Sequence, residues 1–364
     1  MTVHSITEIL EELAPLEHAE EFDNVGLLIG NPKMTVTGIL VTLDTLENVM
    51  DEAIETNCNL IVSFHPIIFS GLKKITGKTY VERVVMKALS NDIAIYSMHT
   101  ALDNNPKGVN AKICEVLGIE NPKILIPKSK SIKKLTTYVP KSSAPLVRNA
   151  LFKAGAGAIG NYSYCSFNVD GKGSFRPDVG ANPTIGKLGE VHFEDETQLN
   201  LTFDPFLEKK ILKTLFKVHP YEEVAYEIFL LENKNQNIGL GMVGDLPVAM
   251  EEKQFLSLLK KQMNTTVVRH SELLGKPIKK VAVLGGSGAF AIGAAKASGA
   301  DIYITADIKY HQFYEAENQI VLADIGHFET EQFTKNLLVD YLTKKIPNFA
   351  IRLSESITNP IKYF

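Results

Sequence analysis

The sequence predicts an α/β protein, with a mostly parallel sheet in an outer domain that is built from both chain ends and interrupted by an α+β insert. Strand-like and helix-like stretches alternate in the first and last thirds, as in successive β-α-β units. The middle third has a different texture and lies between two polar segments. We therefore expect residues 1–126 and 239–364 to form one domain and residues 127–238 to form the other.

The first third alternates strands with helices. Residues 59–64 (NLIVSF) and 93–98 (IAIYSM) are almost continuously apolar, which is typical of strands covered on both faces. A further strand is predicted at 35–44. Helical stretches at 45–57 and 79–91 connect these strands, as parallel pairing requires.

The last third repeats this alternation. Predicted strands occupy 279–286, 300–307, 319–326 and 349–356, and one long helix occupies 328–346. The same β-α-β pattern therefore occurs at both ends of the chain.

The predicted insert mixes strands and helices. Helices are expected over 142–155 and 203–219. The alternating segment 164–177 is expected to form a hairpin with its turn at Gly171. We interpret HPYEE (219–223) as a structural turn that precedes the last strand of the insert.

Composition and charge exclude several classes of protein. Hydrophobic residues make up 45% of the chain and charged residues 22%, which excludes a disordered or fibrous protein. Lys and Arg number 38 against 42 Asp and Glu, and this net charge of −4 makes nucleic acid an unexpected partner. The sequence has no apolar stretch long enough for a bilayer and no N-terminal secretory signal. We expect a cytoplasmic protein that does not bind membranes.

Histidines follow three of the predicted strands, at His65, His99 and His327. Asp103 and Glu331 each lie four residues beyond one of these histidines. Because binding groups collect beyond the carboxyl ends of parallel strands, we expect the five side chains to meet, although each histidine alone also fits a hydrogen-bonded loop residue. Imidazole and carboxylate ligands suit zinc, manganese or iron. The sequence therefore predicts a site for one or two divalent metal ions, whose identity these ligand types leave open.

A glycine-rich turn follows the first strand of the last third. Gly286, Gly288 and Ala291 fit the alanine variant of the dinucleotide fingerprint, and Asp307 lies near the position of its ribose-binding acid. The favoured alternative is a turn whose glycines let the backbone approach a pocket or an anion. Together with His311, the residues Gly286, Gly288 and Asp307 are the pocket candidates of this region.

Six segments of the outer thirds occur together in a fixed order: FDNVGLLIG (22–30), SFHP (63–66), HTALDN (99–104), LGGSG (284–288), ITADIKYH (304–311) and GHFETE (326–331). Together they resemble the NIF-three-like family, which is named for an NGG-one interacting factor and is also known as GTP cyclohydrolase type 2-like. Asp23, in the first segment, is a further pocket candidate. The middle third is similar to the PII-like or CutA-like domain that is inserted in longer bacterial members.

The resemblance implies a toroidal homohexamer with a pair of metal ions in each subunit. It places metal ligands at His65, Asp103, His327 and Glu331. Many members have His-His-Pro where this chain has Phe64 followed by His65 and Pro, so one imidazole ligand of the second ion is missing.

The resemblance also implies a function for the metal site. We expect a metal-dependent hydrolase that acts on a nucleotide or a related small metabolite, with His99 as a catalytic proton carrier. The alternative is a metal-binding or metabolite-binding assembly without turnover, in which the insert senses a small ligand.

Overall fold

The computed structural model describes residues 1–160 and 162–364. These residues divide into two compact units. The outer unit comprises Met1–Ile126 and Asn237–Phe364, and the insert comprises Pro127–Gln236. Each unit has a hydrophobic core of its own. The mixed α/β class predicted from the sequence is confirmed.

Helices occur in both units and are short. In chain order they are α1 (Val3–Leu13), α2 (Glu47–Glu55), α3 (Tyr80–Ser90), α4 (His99–Asp103), α5 (Val109–Leu117), α6 (Ala144–Ala154), α7 (Glu208–Val218), α8 (Glu252–Gln262), α9 (Ile292–Ala297), α10 (His327–Glu331) and α11 (Thr334–Lys345). Short 3₁₀ helices cover Leu16–His18, Pro205–Leu207, Ala289–Ala291 and Tyr310–Ala316.

The strands form three sheets. In chain order they are β1 (Gly26–Ile29), β2 (Ile39–Thr42), β3 (Leu60–Ser63), β4 (Ala94–Ser97), β5 (Glu120–Lys128), β6 (Ile132–Pro140), β7 (Phe167–Phe175), β8 (His192–Phe203), β9 (Tyr226–Leu231), β10 (Asn235–Met250), β11 (Arg269–His270), β12 (Ile278–Ser287), β13 (Ile302–Ala306), β14 (Val321–Asp324) and β15 (Ile351–Leu353).

The first sheet of the outer unit has the strand order β1-β4-β3-β2-β15. Its strands β4, β3, β2 and β15 run parallel, and β1 is antiparallel to β4. Every residue of β2, β3 and β4 is buried, as the apolar runs in the sequence predict. Leu40, Ile61 and Ile95 pack on one face with residues of α2 and α3. Val41, Val62 and Tyr96 belong to the main core.

The second sheet of the outer unit has the order β11-β14-β13-β12-β10-β5. Its strands β14, β13 and β12 run parallel, whereas β11 and β10 are antiparallel to their neighbours β14 and β12. The sequence predicted one sheet in the outer unit, and this is wrong because the outer unit has two sheets. Each sheet takes a strand from the other end of the chain, β15 in the first and β5 in the second. The hydrophobic pattern of a sequence identifies a strand but not the strand that it pairs with. The division of the strands between two sheets could therefore not be read from the sequence.

The insert has a four-stranded antiparallel sheet of order β7-β8-β6-β9. Its element order is β-α-β-β-α-β, the ferredoxin-like arrangement. Leu135 and Leu199 from the sheet pack with Val147, Leu151 and Ile211 from α6 and α7 to form its core.

Two predicted elements differ from the structure. The expected hairpin over 164–177 is wrong, because β7 runs through Gly171 without a turn and pairs along its length with β8. The expected helix over 328–346 is interrupted, because α10 ends at Glu331 and α11 begins at Thr334. Among the helices of the described residues, none has both the length and the apolar composition needed to cross a membrane.

Candidate metal centre

Three histidines of the outer unit lie just beyond strand ends. His65 follows β3, His99 begins α4 after β4, and His327 begins α10 after β14. Glu331 is the last residue of α10, one helical turn beyond His327, so both side chains lie on one face of this short helix. The strand-end positions therefore supply imidazoles from two different sheets.

The shortest contacts in this cluster converge on one carboxylate oxygen. Glu331 Oε2 lies 3.1 Å from His65 Nε2 and 3.3 Å from His327 Nε2. The Glu331 side chain is only 4% exposed. Although these distances suit ion pairs, Oε2 is buried and forms no hydrogen bond of acceptable geometry within the described residues. A buried acceptor facing two imidazole nitrogens is the arrangement expected where a cation completes the site.

A carboxylate fixes the other nitrogen of each imidazole. Asp44 Oδ1 lies 2.8 Å from His65 Nδ1, and Asp307 Oδ2 lies 2.7 Å from His327 Nδ1. Because a carboxylate accepts the Nδ1 proton, the Nε2 atom of each ring is the one that faces Glu331 Oε2. Ser287 Oγ also donates to Asp307 and holds that carboxylate in place.

His99 has the same arrangement. Asp23 Oδ1 lies 2.7 Å from His99 Nδ1, and Asp23 also accepts hydrogen bonds from the backbone and hydroxyl of Thr100. The His99 ring lies 5.3 Å from the His65 ring, centroid to centroid. The backbone of His99 has φ of +24°, which a residue with a side chain rarely adopts, so tertiary contacts hold this imidazole against local preference.

The cluster changes the protonation of its members. Burial disfavours the charged form of Glu331, but the imidazoles of His327 and His65 outweigh it and lower the pKa of Glu331 to about 2. Burial lowers the pKa of both imidazoles, but the adjacent carboxylates raise the pKa of His65 to about 10 and that of His327 to about 9. Protons therefore occupy the imidazoles in the absence of a metal, and a metal ion must displace them.

Asp103 lies beside the same group. Burial, reinforced by the Glu331 carboxylate, raises the pKa of Asp103 well above its usual range. Its Oδ1 is also buried without a hydrogen-bond partner among the residues that the structure describes. Among the described residues, the potential ligand atoms that lie within 4.8 Å of one another belong to His65, His327 and Glu331, and Asp103 is not part of that group.

The glycine turn allows the backbone to approach this cluster. Gly286 has φ of +71°, and a Cβ built there would lie 2.5 Å from Glu331 Oε1. Its amide donates to Thr330 Oγ1. A Cβ at Gly288 would instead collide with Thr305 Oγ1 at 2.1 Å, so this second glycine allows close packing against β13. These contacts match the alternative in which the glycines permit close backbone approach.

The structure brings together most of the residues singled out in the sequence. His65, His327 and Glu331 have potential ligand atoms within 4.8 Å of one another. Asp103 interacts with them electrostatically, and His99, Asp23, Asp307 and Gly286 lie in contact with members of the cluster or with their partners. His311 is exposed, and its ring contacts Tyr310 and Tyr314. The sequence analysis missed Asp44, although it lies just beyond β2 and the same strand-end rule would have found it.

The chain is similar to proteins of one family over nearly its whole length. The family model for Duf34/NIF3 (NGG1p interacting factor 3) matches residues 1–360. A Staphylococcus epidermidis protein named GTP cyclohydrolase 1 type 2 homolog is 38% identical, with 100% of both chains covered. A Bacillus subtilis protein of the same name is also 38% identical, covering 98% of this chain and 97% of its own.

Solved structures show the same relationship. A Bacillus cereus protein related to NIF3 has a TM-score of 0.87 and 36% identity, covering 100% of this chain and 99% of its own. A Staphylococcus aureus protein has a TM-score of 0.79 and 28% identity, again covering 100% of this chain and 99% of its own. The chain therefore belongs to the Duf34/NIF3 (NGG1p interacting factor 3) family.

Proposed function

We propose that the outer unit binds a divalent metal ion through His65, Asp103, His327 and Glu331, and that the protein is a metal-dependent hydrolase. The observation that supports this proposal is the buried Glu331 Oε2, which faces two imidazole nitrogens without a hydrogen bond in the described part of the chain. In the metal-free protein the protonated imidazoles pair with this oxygen, and a bound cation would take the place of their Nε2 protons.

The donor atoms suit a transition metal. Two imidazole nitrogens with carboxylate oxygens favour zinc, manganese or iron over calcium or magnesium, and zinc is our first expectation. The carboxylates of Asp44 and Asp307 resemble the outer partners that orient metal-bound imidazoles. Phe64, fully buried beside His65, offers no ligand atom, so we expect one strongly bound ion per chain and a weak second site or none.

The chain's own residues would position substrate and move protons around this centre. When bound, a divalent ion supplies Lewis acidity and activates water. His99 is held through Nδ1 by Asp23, so its Nε2 is free to accept or deliver a proton. The name of the relatives, GTP cyclohydrolase 1 type 2 homolog, supports a nucleotide or a related small metabolite as the substrate.

Metal content tests the first part of the proposal. We expect the purified protein to contain about one transition-metal ion per chain by elemental analysis, and Glu331→Gln to lose it. Glu329→Gln is the matched control, because Glu329 is also buried in α10 but accepts a hydrogen bond from Asn359. Equal metal content in the two variants would contradict the proposed ligand set.

Turnover tests the second part. Metal-loaded protein is assayed on nucleotides, phosphoesters and cyclic amides, beside Glu331→Gln and Glu329→Gln. We expect release of product by the parent and by Glu329→Gln, and none by Glu331→Gln. Retained metal with no turnover on any of these compounds would favour the non-enzymatic assembly that the sequence left open.

We further propose a homohexamer and a PII-like or CutA-like insert, as the family resemblance implies. The β-α-β-β-α-β order of the insert supports its part of this proposal. Light scattering tests the assembly, because a stable species near the 40.2 kDa of one chain would contradict it.

A further inference from the structure

The insert contains a cavity of about 600 Å³, which the proposed metal chemistry does not use. Its floor is the sheet along much of β7 and the middle of β8. Its walls include residues 176–178, 181 and 183–185 and residues 221–223. This volume lies in the range of small-molecule binding sites. All of its lining residues belong to the insert.

Hydrogen bonds hold the two loops of the cavity together. The backbone amide of Asn182 donates to Glu222 Oε1 at 2.8 Å, and Thr184 Oγ1 donates to the carbonyl of Pro220 at 2.8 Å. The loop that follows β7 is thereby tied to the loop that follows α7. The cavity is therefore formed before any ligand binds, which lowers the entropic cost of binding.

Two glycines keep the floor of the cavity open. A Cβ at Gly171 would meet nothing within 4 Å, whereas a Cβ at Gly173 would lie 2.1 Å from Glu196 Oε2. Gly171 pairs with Glu196 across the sheet, so both residues face the cavity side. Glycine in the middle of a strand often marks a position where a ligand or another group approaches closely. The glycine that suggested a turn in the sequence instead leaves space above β7.

The charge balance of the lining favours a cation. Four acidic residues line the cavity against two basic ones, Lys172 and Arg176. Arg176 pairs with Asp178 at 3.1 Å, and Lys172 lies 3.9 Å from Asp195. The remaining acids, Glu196, Glu222 and Glu223, form no ion pair with a basic side chain of the described residues. The interior of the cavity therefore carries an excess of negative charge.

Glu196 is the carboxylate that is best placed to bind a ligand. Its Oε1 accepts a hydrogen bond from Tyr221 Oη at 2.8 Å, which fixes the orientation of the group. The Tyr221 ring in turn packs 5.7 Å from the Phe175 ring, and both rings line the cavity. Aromatic rings attract cations as well as apolar groups, and a neighbouring carboxylate adds a direct charge partner.

We propose that this cavity binds a small organic cation, a protonated amine with an aromatic or aliphatic body, through Glu196 and the rings of Phe175 and Tyr221. An inorganic cation would leave the aromatic walls unused, and an organic anion would lie against an excess of carboxylates. The proposal is independent of the metal centre and requires no turnover.

Three probes of one shape and different charge test this proposal. Benzylamine is cationic at neutral pH, benzyl alcohol is neutral and benzoate is anionic, and each is titrated into the full-length protein by calorimetry or ligand-observed NMR. We expect saturable binding of benzylamine, with binding of benzyl alcohol at least about 10-fold weaker, since a charged hydrogen bond contributes about this factor. Benzoate binding as tight as that of benzylamine, or no saturable binding of benzylamine, would overturn the proposal.

Three variants locate the binding site. Glu196→Gln keeps an acceptor for Tyr221 but removes the charge, and we expect benzylamine affinity to fall about 10-fold. Glu232→Gln is the matched control, since Glu232 is an exposed acid of the insert outside the cavity lining. We expect this variant to bind benzylamine with the same affinity as the parent protein. Gly171→Val fills the floor and should abolish binding while the melting temperature is retained. Equal effects of Glu196→Gln and Glu232→Gln, or undiminished binding by a folded Gly171→Val, would show that benzylamine binds elsewhere.

Discussion

Two histidines in this chain precede a proline, the half-buried His65 and the buried His219, and their surroundings differ. His65 in the outer unit is flanked by carboxylates, with Asp44 at Nδ1 and Glu331 at Nε2. His219 in the insert is bonded to backbone groups: its Nδ1 accepts from the amide of Tyr221, and its Nε2 donates to the carbonyl of Tyr138. The first imidazole lies among groups that attract a positive charge. The second is satisfied as a neutral ring.

Their protonation reflects this difference. Burial lowers the pKa of His219 below its ordinary value. Burial also disfavours the charged form of His65, but the carboxylates of Asp44 and Glu331 outweigh it and raise its pKa to about 10. The two dipeptides are identical, so the function of each histidine depends on partners that are distant in sequence. A carboxylate partner indicates a site for a cation, and a backbone partner indicates a turn.

The largest expected effect is on metal affinity. The substitution His65→Gln removes one ligand, and we expect zinc affinity to fall by more than about 100-fold, beyond the loss that is typical of outer partners. The same substitution at His219 should leave zinc affinity unchanged, because its nitrogens are occupied by backbone groups. Competition with a chromophoric chelator measures both affinities. Equal losses in the two variants would mean that the comparison does not identify a metal ligand.

A smaller effect is expected from the carboxylates behind the imidazoles. Asp44→Asn and Asp307→Asn keep the size of the side chain but weaken its hold on Nδ1, and we expect zinc affinity to fall about 10- to 100-fold. Asp51→Asn is a suitable control, since Asp51 is an exposed residue of α2 that pairs with Lys87. An unchanged affinity in both test variants would show that these carboxylates only pack beside the rings.

The sequence was sufficient to find the strand ends of the cluster but not their partners. β3, β4 and β14 were predictable because buried parallel strands are continuously apolar, and the histidines follow them directly. Asp44 also follows a strand, β2, so its position was predictable, but its partnership with His65 exists only in the folded chain. Asp307 was noted as a possible ribose ligand, whereas in the structure it holds His327.

The insert was harder to interpret for a related reason. Gly171 suggested a turn, since glycine is common in hairpins, yet here it lies within a continuous strand and leaves a cavity open. A glycine in the sequence does not indicate whether the missing side chain permits a turn or leaves space for another group. Only the neighbouring residues of β8 decide between these roles.

Alkaline pH should destabilise the metal-free protein through the outer unit. His65 and His327 have folded pKa values of about 10 and about 9, above their ordinary value of 6.5. Their stabilising contribution is therefore fully present below pH 6.5 and is lost as the pH rises through about 9 and 10. We expect the free energy of unfolding, measured by urea titration, to decline over this window, and to decline less in His65→Gln. A flat profile in the metal-free parent would contradict the charged state assigned to these imidazoles.

Acid should also destabilise the protein, through His219 in the insert, and this is the smallest change that we expect. Because its folded pKa lies below the unfolded value of 6.5, the unfolded chain binds the extra proton first. The contribution of His219 is thus fully present above pH 6.5 and declines as the pH falls below it, by about 1 kcal/mol per unit of pKa difference. His219→Gln has no proton to gain there, so its stability should change less than that of the parent between pH 6.5 and the folded pKa. The contribution of Glu331 to stability is lost only as the pH falls from 4.5 towards about 2. The loss from His219 begins at a higher pH, just below 6.5, so the two losses can be measured separately. Parallel stability profiles for the parent and His219→Gln just below pH 6.5 would show that this histidine already accepts a proton in the folded insert.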